Sequence, residues 1–592
     1  MLDTRGGCAT IRLRGSDGQH MHAETATDNW EKRAGPIIAF LCPVIFLLPF
    51  IAKPFHIDDT MYLWAAKQIH AHPLDFYGFD VHWDNMTRPM YEANQNPPGV
   101  SYYIAFVALL LGWSELAQHA GMLLLTALAS LGIYRLAERL CSRPLLAVLL
   151  SVLTPAFLVS SSNVMSDTPM LCAYVWAIVL WLRGLDANNH RLLFAASLLM
   201  ACAALIKYYG ITAVPLLLVY TLIKKRRLGP WSLHLLTPLL VFGAYVLLVY
   251  KMYGINLASS VSGFATDSHW RSKETSYSKP LTGILFTGGC FITALFYAPF
   301  VWSRKYFLAA VGIVLIIMLP GTILRTTLEE FTHVLAPTTT LYYAQLAIML
   351  VVGIHFLAMP LSDLYTRRNA DALLVNLLFW GTFVFSVYIN YAINVRTLLP
   401  VAMVTGIVIV RHIDRHEKPD APPVRRALYW PLLPGAIMAL WVAIGDYQAA
   451  NTGRDAAKFF AEAKKNYPGP VYYLGHWGFQ YYMDLDGTDP LIIQRDANQQ
   501  ISGIKIDLGD TLIIPLTVNP EFTPVPGSGT VVVNRELYPI PSRMATLQGV
   551  SGAGFYSHFV GRLPYAIGPV TPEEYIAAEI RASESTQTPQ TN

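Results

Sequence analysis

The chain has 592 residues, of which 54% are hydrophobic and only 14% are charged. Soluble domains carry about a quarter charged residues, so this composition and a mean hydropathy of +0.38 exclude an ordinary soluble protein. The net charge of +4 comes from basic loops between apolar runs, which is typical of positive-inside topology and not of nucleic-acid binding. We therefore predict a polytopic α-helical membrane protein.

Polar breaks separate the apolar runs that could cross a bilayer. A transmembrane helix needs about 20 apolar residues, with a lower limit of about 17. The candidate runs are 34–52, 100–113, 115–134, 145–161, 168–181, 192–207, 211–223, 231–250, 281–301, 306–323, 341–361, 372–391, 397–410 and 429–444. Six scattered cysteines without a C-x-x-C spacing indicate neither a disulfide framework nor a cysteine metal site.

Lysine and arginine clusters set the predicted orientation. The clusters expected in the cytoplasm lie in the tail 1–33 and in residues 135–143, 224–227, 303–305, 367–368 and 411–426. Two crossings must separate the first two clusters, but three apolar runs lie between them. We therefore expect the short run 100–113 to be interfacial or re-entrant, which leaves about thirteen spans in a transmembrane domain over 34–445.

This topology places one set of segments outside. They are the loop 53–114, residues 162–169, 207–210, 251–280, 325–340 and 394–396, and everything after 445. From 446 to 580 the composition is that of a soluble domain, with a helical pattern over 454–467 and strand patterns at 471–474, 511–514 and 530–533. We expect a small extracytoplasmic α/β domain there, followed by a disordered tail over 581–592.

The stretch 53–99 follows the first apolar run and is rich in acids. Its carboxylates are Asp58, Asp59, Asp75, Asp80, Asp84 and Glu92, against the cations Lys53, Lys67 and Arg88. Asp58 and Asp59 come directly after the predicted span, where a carboxylate could act as a general base on a lipid-borne substrate. The alternative is that they cap a helix over 60–70.

Three further polar groups are expected at the same face. Asp167 lies at the mouth of one span, Lys207 with Tyr208 at the mouth of the next, and Arg396 at the head of a late span. Ionisable groups near hydrocarbon usually face a cavity or a partner. The alternatives are an N-cap for Asp167 and snorkelling to lipid headgroups for Lys207 and Arg396.

Carboxylates and cations on one face suit a phosphate-bearing lipid substrate. The cations would bind the phosphate as it becomes a leaving group, while an aspartate deprotonates the incoming hydroxyl or amine. The sequence has no G-x-x-x-x-G-K-[ST] loop for a nucleotide. Its external histidines, such as His56 and His82, show no compact ligand spacing, so no metal or other cofactor is predicted, although a divalent metal stays an alternative.

Several motifs resemble those of the GT-C superfamily of lipid-phosphate-sugar glycosyltransferases, which includes protein O-mannosyltransferases and the aminoarabinose transferase that modifies lipid A. Asp58-Asp59-Thr60-Met61-Tyr62 is similar to the family's Asp-Glu-Thr-x-Tyr motif, and Asn96-Pro97-Pro98-Gly99 to its Lys-Pro-Pro-Leu motif. Lys207-Tyr208-Tyr209-Gly210 resembles Lys-x-x-Gly, and Arg396-Thr397-Leu398-Leu399-Pro400 resembles Arg-Tyr-x-x-Pro. The order of these motifs agrees with the family.

The resemblance implies an inverting transferase that moves one sugar from a polyprenyl phosphate to a lipid, glycan or protein acceptor on the outer face. It implies a bacterial inner-membrane protein of the cell envelope with a periplasmic C-terminal domain. Residue by residue, it implies that Asp58 is the catalytic carboxylate, that Asp167 is a second acid, and that Lys207 and Arg396 bind the donor phosphate. We also predict Asp59 as a catalytic residue and expect five residues around the substrate cavity, namely Tyr62, Tyr208, Asn96, Glu92 and Asp84.

The chain departs from the family pattern at three positions. Asp59 replaces a glutamate, Asn96 a lysine and Thr397 a tyrosine. Because the change at Asn96 removes a cation, phosphate binding could also involve Arg271 or Lys273. The alternative function is a transporter or flippase of a lipid-linked sugar, which the many spans suit equally, but the ionisable groups gather at one face and no inverted repeat is visible.

Overall fold

The computed structural model describes residues 17–83, 85–94, 96–257, 278–332, 339–416, 427–495, 501–517 and 530–581. The α-helices within these ranges are α1 Asp17–Leu47, α2 Asp59–Ala71, α3 Met90–Ala93, α4 Gly99–Leu111, α5 Glu115–Leu140, α6 Pro144–Val152, α7 Pro155–Ser161, α8 Asp167–Asp186, α9 His190–Ile206, α10 Ala213–Lys225, α11 Leu236–Tyr253, α12 Ser278–Cys290, α13 Thr293–Phe296, α14 Ala298–Val301, α15 Arg304–Met318, α16 Ile323–Thr332, α17 Thr340–Arg367, α18 Ala370–Val384, α19 Val395–Leu398, α20 Ala402–His416, α21 Leu432–Ala463 and α22 Trp477–Leu485.

The strands are β1 Asp80–Trp83, β2 Met86–Pro89, β3 Val471–Tyr473, β4 Asp489–Pro490, β5 Ile493–Arg495, β6 Ile501–Ile504, β7 Thr511–Pro515, β8 Thr530–Tyr538, β9 Met544–Ala545, β10 Leu547–Gln548, β11 Ala553–Gly554, β12 Ala566–Ile567 and β13 Glu573–Ile580. The main sheet has the order β4-β3-β7-β13-β8. Strand β3 runs parallel to its two neighbours, and β13 runs antiparallel to β7 and β8.

The chain is an integral membrane protein with a C-terminal domain that contains a sheet. Among the described residues, eight helices are long and apolar enough to cross a bilayer, or ten if each of two bent helix pairs is one span. The predicted number of about thirteen spans is therefore not confirmed. The run 281–301 is divided into the short helices α12, α13 and α14, and α4 and α9 are shorter apolar helices.

Ion pairs gather at one end of the helical bundle. Arg139 and Lys224 both bind Asp186, and Arg143 binds Asp414 at 2.5 Å. These contacts join three of the basic segments for which the sequence predicts a common side of the membrane. The predicted catalytic groups lie near other segments, at the start of α2, the start of α8, the end of α9 and the start of α19.

Helix α21 connects the bundle to the C-terminal domain. It runs without a break from Leu432 to Ala463 and so passes through the predicted domain boundary at 445–446. The strands β3, β7 and β8 lie where the sequence patterns predict strands. Alanine and phenylalanine side chains near the end of α21 pack with the sheet in a small core of their own, which includes Ala457, Phe460 and Ile513.

Two glycines allow chain segments to approach each other near the predicted site. A Cβ on Gly99 would lie 2.6 Å from the carbonyl oxygen of Leu205, and a Cβ on Gly210 would collide with the carbonyl of Ala203. The motifs that contain Gly99 and Gly210 therefore both press against the end of α9. This packing fixes the position of Lys207, the residue that directly follows that helix.

Candidate active site

Asp58 pairs with Arg396 across 338 positions of sequence. The guanidinium Nη2 of Arg396 donates to Oδ2 of Asp58 at 2.8 Å. Asp58 is the N-cap residue of α2, but its side chain makes no capping hydrogen bond, so the capping alternative for this carboxylate is wrong. Its side chain is 27% exposed and that of Arg396 is 12% exposed, which leaves the carboxylate accessible while the cation is mostly enclosed.

Asp167 and Lys207 form a second ion pair beside the first. The ammonium of Lys207 donates to Oδ1 of Asp167, and Oδ2 of the same carboxylate lies 4.0 Å from Nη1 of Arg396. The side chain of Asp167 is only 2% exposed and that of Lys207 is 19% exposed. Lys207 and Arg396 therefore bind carboxylates instead of extending to lipid headgroups, and four charges meet in one place.

Short helical turns hold Arg396 in position. The side chain of Asn394 caps α19 by accepting the backbone N–H of Thr397 at 2.8 Å, and the Thr397 hydroxyl bonds to Ser386. The C-terminal domain supports the same turn, because the backbone N–H of Val395 donates to the carbonyl of Phe555 at 2.9 Å. Thr397 thus has a local structural contact at the position where the family has a tyrosine.

Asp59 lies behind Asp58 and is completely buried. Its Oδ2 accepts the backbone N–H of His56 at 2.9 Å, and its Oδ1 accepts that of Val164 at 2.8 Å. Burial raises the pKa of the Asp59 carboxyl to about 7, against the opposing effects of Lys53 and the two backbone donors. The geometry gives Asp59 a positioning role, since it ties the loop that carries Asp58 to the loop before α8.

Tyr62 and Asn96 lie next to the charged groups. The phenol of Tyr62 bonds to the hydroxyl of Ser166 at 2.9 Å, and the amide of Asn96 donates to the same phenol at 3.4 Å. Tyr77 in turn donates to the carbonyl oxygen of Asn96 at 2.7 Å. Asn96 therefore holds a neutral hydrogen-bonding position where the family has a lysine.

Two other predicted residues, Tyr208 and Glu92, make different contacts from the four charged groups. The ring of Tyr208 packs against Phe242, with centroids 5.9 Å apart. Glu92 is exposed and makes no ion pair within the described part of the chain. Asp84, Arg271 and Lys273 lie outside the described residues, so their parts in the site stay predictions.

A buried pair that the sequence reasoning missed lies beside the site. The ammonium of Lys53 binds Asp446 of α21 and the side-chain oxygen of Asn163, each at 2.5 Å. Asp446 also accepts the hydroxyl groups of Thr546 and Tyr556, at 3.0 and 2.8 Å. A carboxylate inside an apolar helix is a sequence signal for such a contact. The sequence around Thr546 and Tyr556 gives no comparable signal that they bind Asp446.

Tyr556 connects this pair to the charged group. Its ring lies 5.6 Å from the guanidinium carbon of Arg396, within the range of a cation–π contact. The C-terminal domain thus contributes one wall beside Arg396. Within the described residues, no group of three histidine, cysteine, aspartate or glutamate side chains could hold a metal ion.

A family model described as dolichyl-phosphate-mannose-protein mannosyltransferase matches residues 95–250. The matched segment contains Asp167 and Lys207, and it confirms the predicted resemblance to lipid-phosphate-sugar glycosyltransferases. No curated protein matches the chain.

Two solved structures show a similar course of the chain. One is ArnT from Cupriavidus metallidurans bound to undecaprenyl phosphate, with 14% identity, a TM-score of 0.41 and coverage of 85% of this chain and 97% of that one. The other is the oligosaccharyltransferase AglB from Archaeoglobus fulgidus in complex with an inhibitory peptide and a dolichol-phosphate, with 11% identity, a TM-score of 0.46 and coverage of 82% and 70%. At these identities and scores, the likeness carries no conclusion about function.

Proposed function

We propose that the chain is an inverting glycosyltransferase that moves one sugar from a polyprenyl-phosphate donor to an acceptor at the outer face of the membrane. The observation that carries the proposal is the meeting of Asp58, Asp167, Lys207 and Arg396, which come from four distant segments. The family match over 95–250, described by a dolichyl-phosphate sugar donor, supports the class of donor.

Asp58 is the general base in this proposal because it is the more exposed of the two carboxylates. It takes the proton of the acceptor hydroxyl or amine as the acceptor atom attacks the anomeric carbon of the donor sugar. The bond from that carbon to the phosphate oxygen breaks, and the polyprenyl phosphate leaves with the electron pair. Attack opposite to the leaving group inverts the anomeric carbon.

Arg396 and Lys207 bind the donor phosphate and stabilise its charge as it leaves. In the resting chain their charges are balanced by Asp58 and Asp167. The phosphate therefore competes with these carboxylates for the same two cations. When the phosphate replaces Asp58 on Arg396, the Asp58 carboxylate becomes free to accept the acceptor proton. Asp58 would therefore act as a base only after the donor has bound.

The proposed location is a bacterial inner membrane with the C-terminal domain in the periplasm. Two separate groups of charged side chains support this location. In one group, arginines pair with Asp186 and Asp414. The proposed active site, the other group, is formed by different segments. The positive-inside rule assigns the arginine-rich end to the cytoplasm.

The test is turnover by purified protein with a panel of polyprenyl-phosphate sugars and a membrane extract as the source of acceptors. Wild type is compared with Asp58→Asn and with Asp80→Asn, which neutralises an exposed acid of the same loop. We expect release of polyprenyl phosphate from one donor, loss of release in Asp58→Asn and no change in Asp80→Asn. Full release by Asp58→Asn contradicts its role as the base, and sugar movement across vesicles without release favours the transporter.

A further inference from the structure

A cavity with a volume of about 290 Å³ lies between the C-terminal domain and the middle of α21. Its walls come from α21, from the start of α22 and from the strands β9, β10 and β13. The four charged groups of the proposed active site are not part of its lining. The cavity therefore needs an explanation of its own.

Small residues on one face of α21 line this space. Gly445, Ala449 and Gly453 line the cavity and are spaced four residues apart, so they lie on the same side of the helix. A larger side chain at Ala449 would project from that face into the cavity. The helix therefore contributes one wall of the cavity, and loop residues such as Ile540 and Val560 complete the lining.

His56 connects the cavity to the proposed base. It lines the cavity, and its Nε2 is buried with no hydrogen-bond partner among the described residues. Burial lowers the pKa of His56 to about 4, so the ring is neutral at pH 7. The ring therefore forms a neutral part of the cavity wall, while its Nε2 atom has almost no accessible surface.

The backbone turn between His56 and Asp58 is strained. Ile57 has a φ of 49°, which is unfavourable for a β-branched residue and is typical of functional sites when it occurs. The His56 ring contacts the Tyr556 ring at 5.7 Å, and the Tyr556 ring also contacts Arg396. One tight turn therefore carries a group that lines the cavity and the carboxylate of the active site.

The lining favours an uncharged ligand. The one carboxylate among its described lining residues is Glu573, which accepts the hydroxyl groups of Thr452 and Tyr575. Burial raises the pKa of Glu573. Among the residues that the structure describes, the remaining lining is aromatic, aliphatic or neutral polar and contains no lysine or arginine. A phosphate or carboxylate would find no counter-charge here, which excludes the donor headgroup.

Size and shape restrict the ligand further. The volume of about 290 Å³ lies just below the range of about 300–1,000 Å³ for small-molecule pockets, so it suits a single ring. Trp477 lines the cavity and has a φ of 64°, a second strained position. The apolar C–H face of a sugar packs well on an indole, whose ring face is electron-rich.

We propose that this cavity is the acceptor subsite of the transferase and binds one uncharged sugar unit against the Trp477 ring. The inference rests on the proposed function, and it specifies a glycan acceptor among the classes left open there. Binding at this subsite would bring a hydroxyl of the acceptor toward Asp58, two residues beyond His56.

The first experiment measures binding without turnover. Methyl glycosides of neutral hexoses are added to the full chain in nanodiscs free of sugar detergents, and contact is detected by saturation-transfer NMR. We expect Ala449→Leu, which fills the cavity, to reduce affinity by about tenfold or more, the effect of one lost contact. Lys458→Leu, an exposed change on the same helix, is the matched control and should bind like wild type.

Trp477→Gly provides a second variant that tolerates the positive φ and should also weaken glycoside binding. Unchanged binding in both cavity variants overturns the subsite, as does saturable binding of a serine-containing peptide instead of every glycoside.

The second experiment separates this inference from the proposed function. Asp58→Asn should keep glycoside binding and lose transfer. If wild type binds glycosides in the cavity but no donor releases polyprenyl phosphate, the proposed function fails and the sugar site stands without an acceptor role. If wild type transfers sugar and Ala449→Leu leaves the KM for the acceptor unchanged, the subsite fails and the proposed function stands.

Discussion

Lys53 and Asp446 form an ion pair of 2.5 Å in which neither side chain has any exposed surface. The two residues are 393 positions apart, and the pair joins the loop before α2 to the helix that leads into the C-terminal domain. Because both charges are withdrawn from water, each depends on the other for its stability. The pair therefore fixes the position of Lys53, the first residue of the segment 53–58 that ends in Asp58.

Removing one partner of this pair should destabilise the protein strongly. Lys53→Met leaves the Asp446 carboxylate buried without its cation, and we expect a loss of about 3–5 kcal/mol of unfolding free energy. The measurement is denaturant unfolding of the purified protein. The double variant Lys53→Gln/Asp446→Asn, which keeps neutral hydrogen-bonding groups at both positions, should recover most of the loss.

Equal destabilisation in the single and double variants would show that the hydrogen bonds with Asn163, Thr546 and Tyr556 dominate over the charge pair. The control is Arg454→Lys, which alters a partly exposed ion pair with Glu115. Exposed pairs contribute about 0–1 kcal/mol, so this variant should unfold close to wild type.

Arg396→Lys should impair transfer even though the charge is kept. The guanidinium reaches Asp58 with one nitrogen and lies 4.0 Å from Asp167 with another, and a single ammonium cannot occupy both positions. We expect kcat to fall by about 10²–10³-fold, as for the loss of one preorganised charge-stabilising donor. Steady-state release of polyprenyl phosphate measures it, with Arg454→Lys as the control, and wild-type kcat in Arg396→Lys would contradict the role.

Variants at Lys207 and Asp167 can separate an effect on the stability of the protein from an effect on donor binding. Lys207→Met leaves a carboxylate that is 2% exposed with only Arg396 nearby, so we expect both a less stable protein and weaker binding of polyprenyl phosphate. The double variant Lys207→Met/Asp167→Asn removes the unpaired charge and should regain stability. It should not regain affinity for the phosphate, which is measured by calorimetric titration in detergent.

If the double variant recovers affinity as well, Lys207 supports the fold and does not bind the donor. A loss of stability without any change in phosphate affinity in Lys207→Met leads to the same conclusion.

The sequence indicated which charged residues lie in the site better than it indicated which residues they contact. Asp58, Asp167, Lys207 and Arg396 were recognisable because ionisable residues at the ends of apolar runs are costly unless they are used. The cap alternative for Asp58 could be decided only from structure, since a carboxylate before a helix has the same local pattern whether it binds the helix or a distant guanidinium. Lys53 and Asp446 were missed because their pairing depends on contacts between the two ends of the chain.

The number of spans was harder to predict than the class of fold. Apolar composition is the same in a helix that crosses and in one that bends, so the run 145–161 reads as one span although it forms α6 and α7 at an angle of 64°. Thr154 caps the second of these helices, and Pro155 follows it. These breaks are visible in the sequence only as single residues, whereas the C-terminal strands are visible as short apolar runs of several residues.

Asp59 should give a distinctive dependence of stability on pH. Its pKa in the folded protein is about 7, above the value of about 3.9 for an unfolded chain, so the folded state binds the proton more tightly. The carboxyl's contribution to stability is therefore most favourable below about pH 4, declines as pH rises toward 7, and is constant above that range. We expect wild type to lose stability relative to Asp59→Asn across this window.

The comparison uses unfolding free energies of the two proteins at several values between pH 4 and 8. Asp59→Asn also loses one acceptor for the backbone N–H groups of His56 and Val164, which adds a pH-independent cost of about 1–3 kcal/mol. The informative quantity is thus the slope of the difference and not its size. A difference that is flat over the whole window would mean that the two backbone donors keep Asp59 ionised throughout, and that burial does not control its titration.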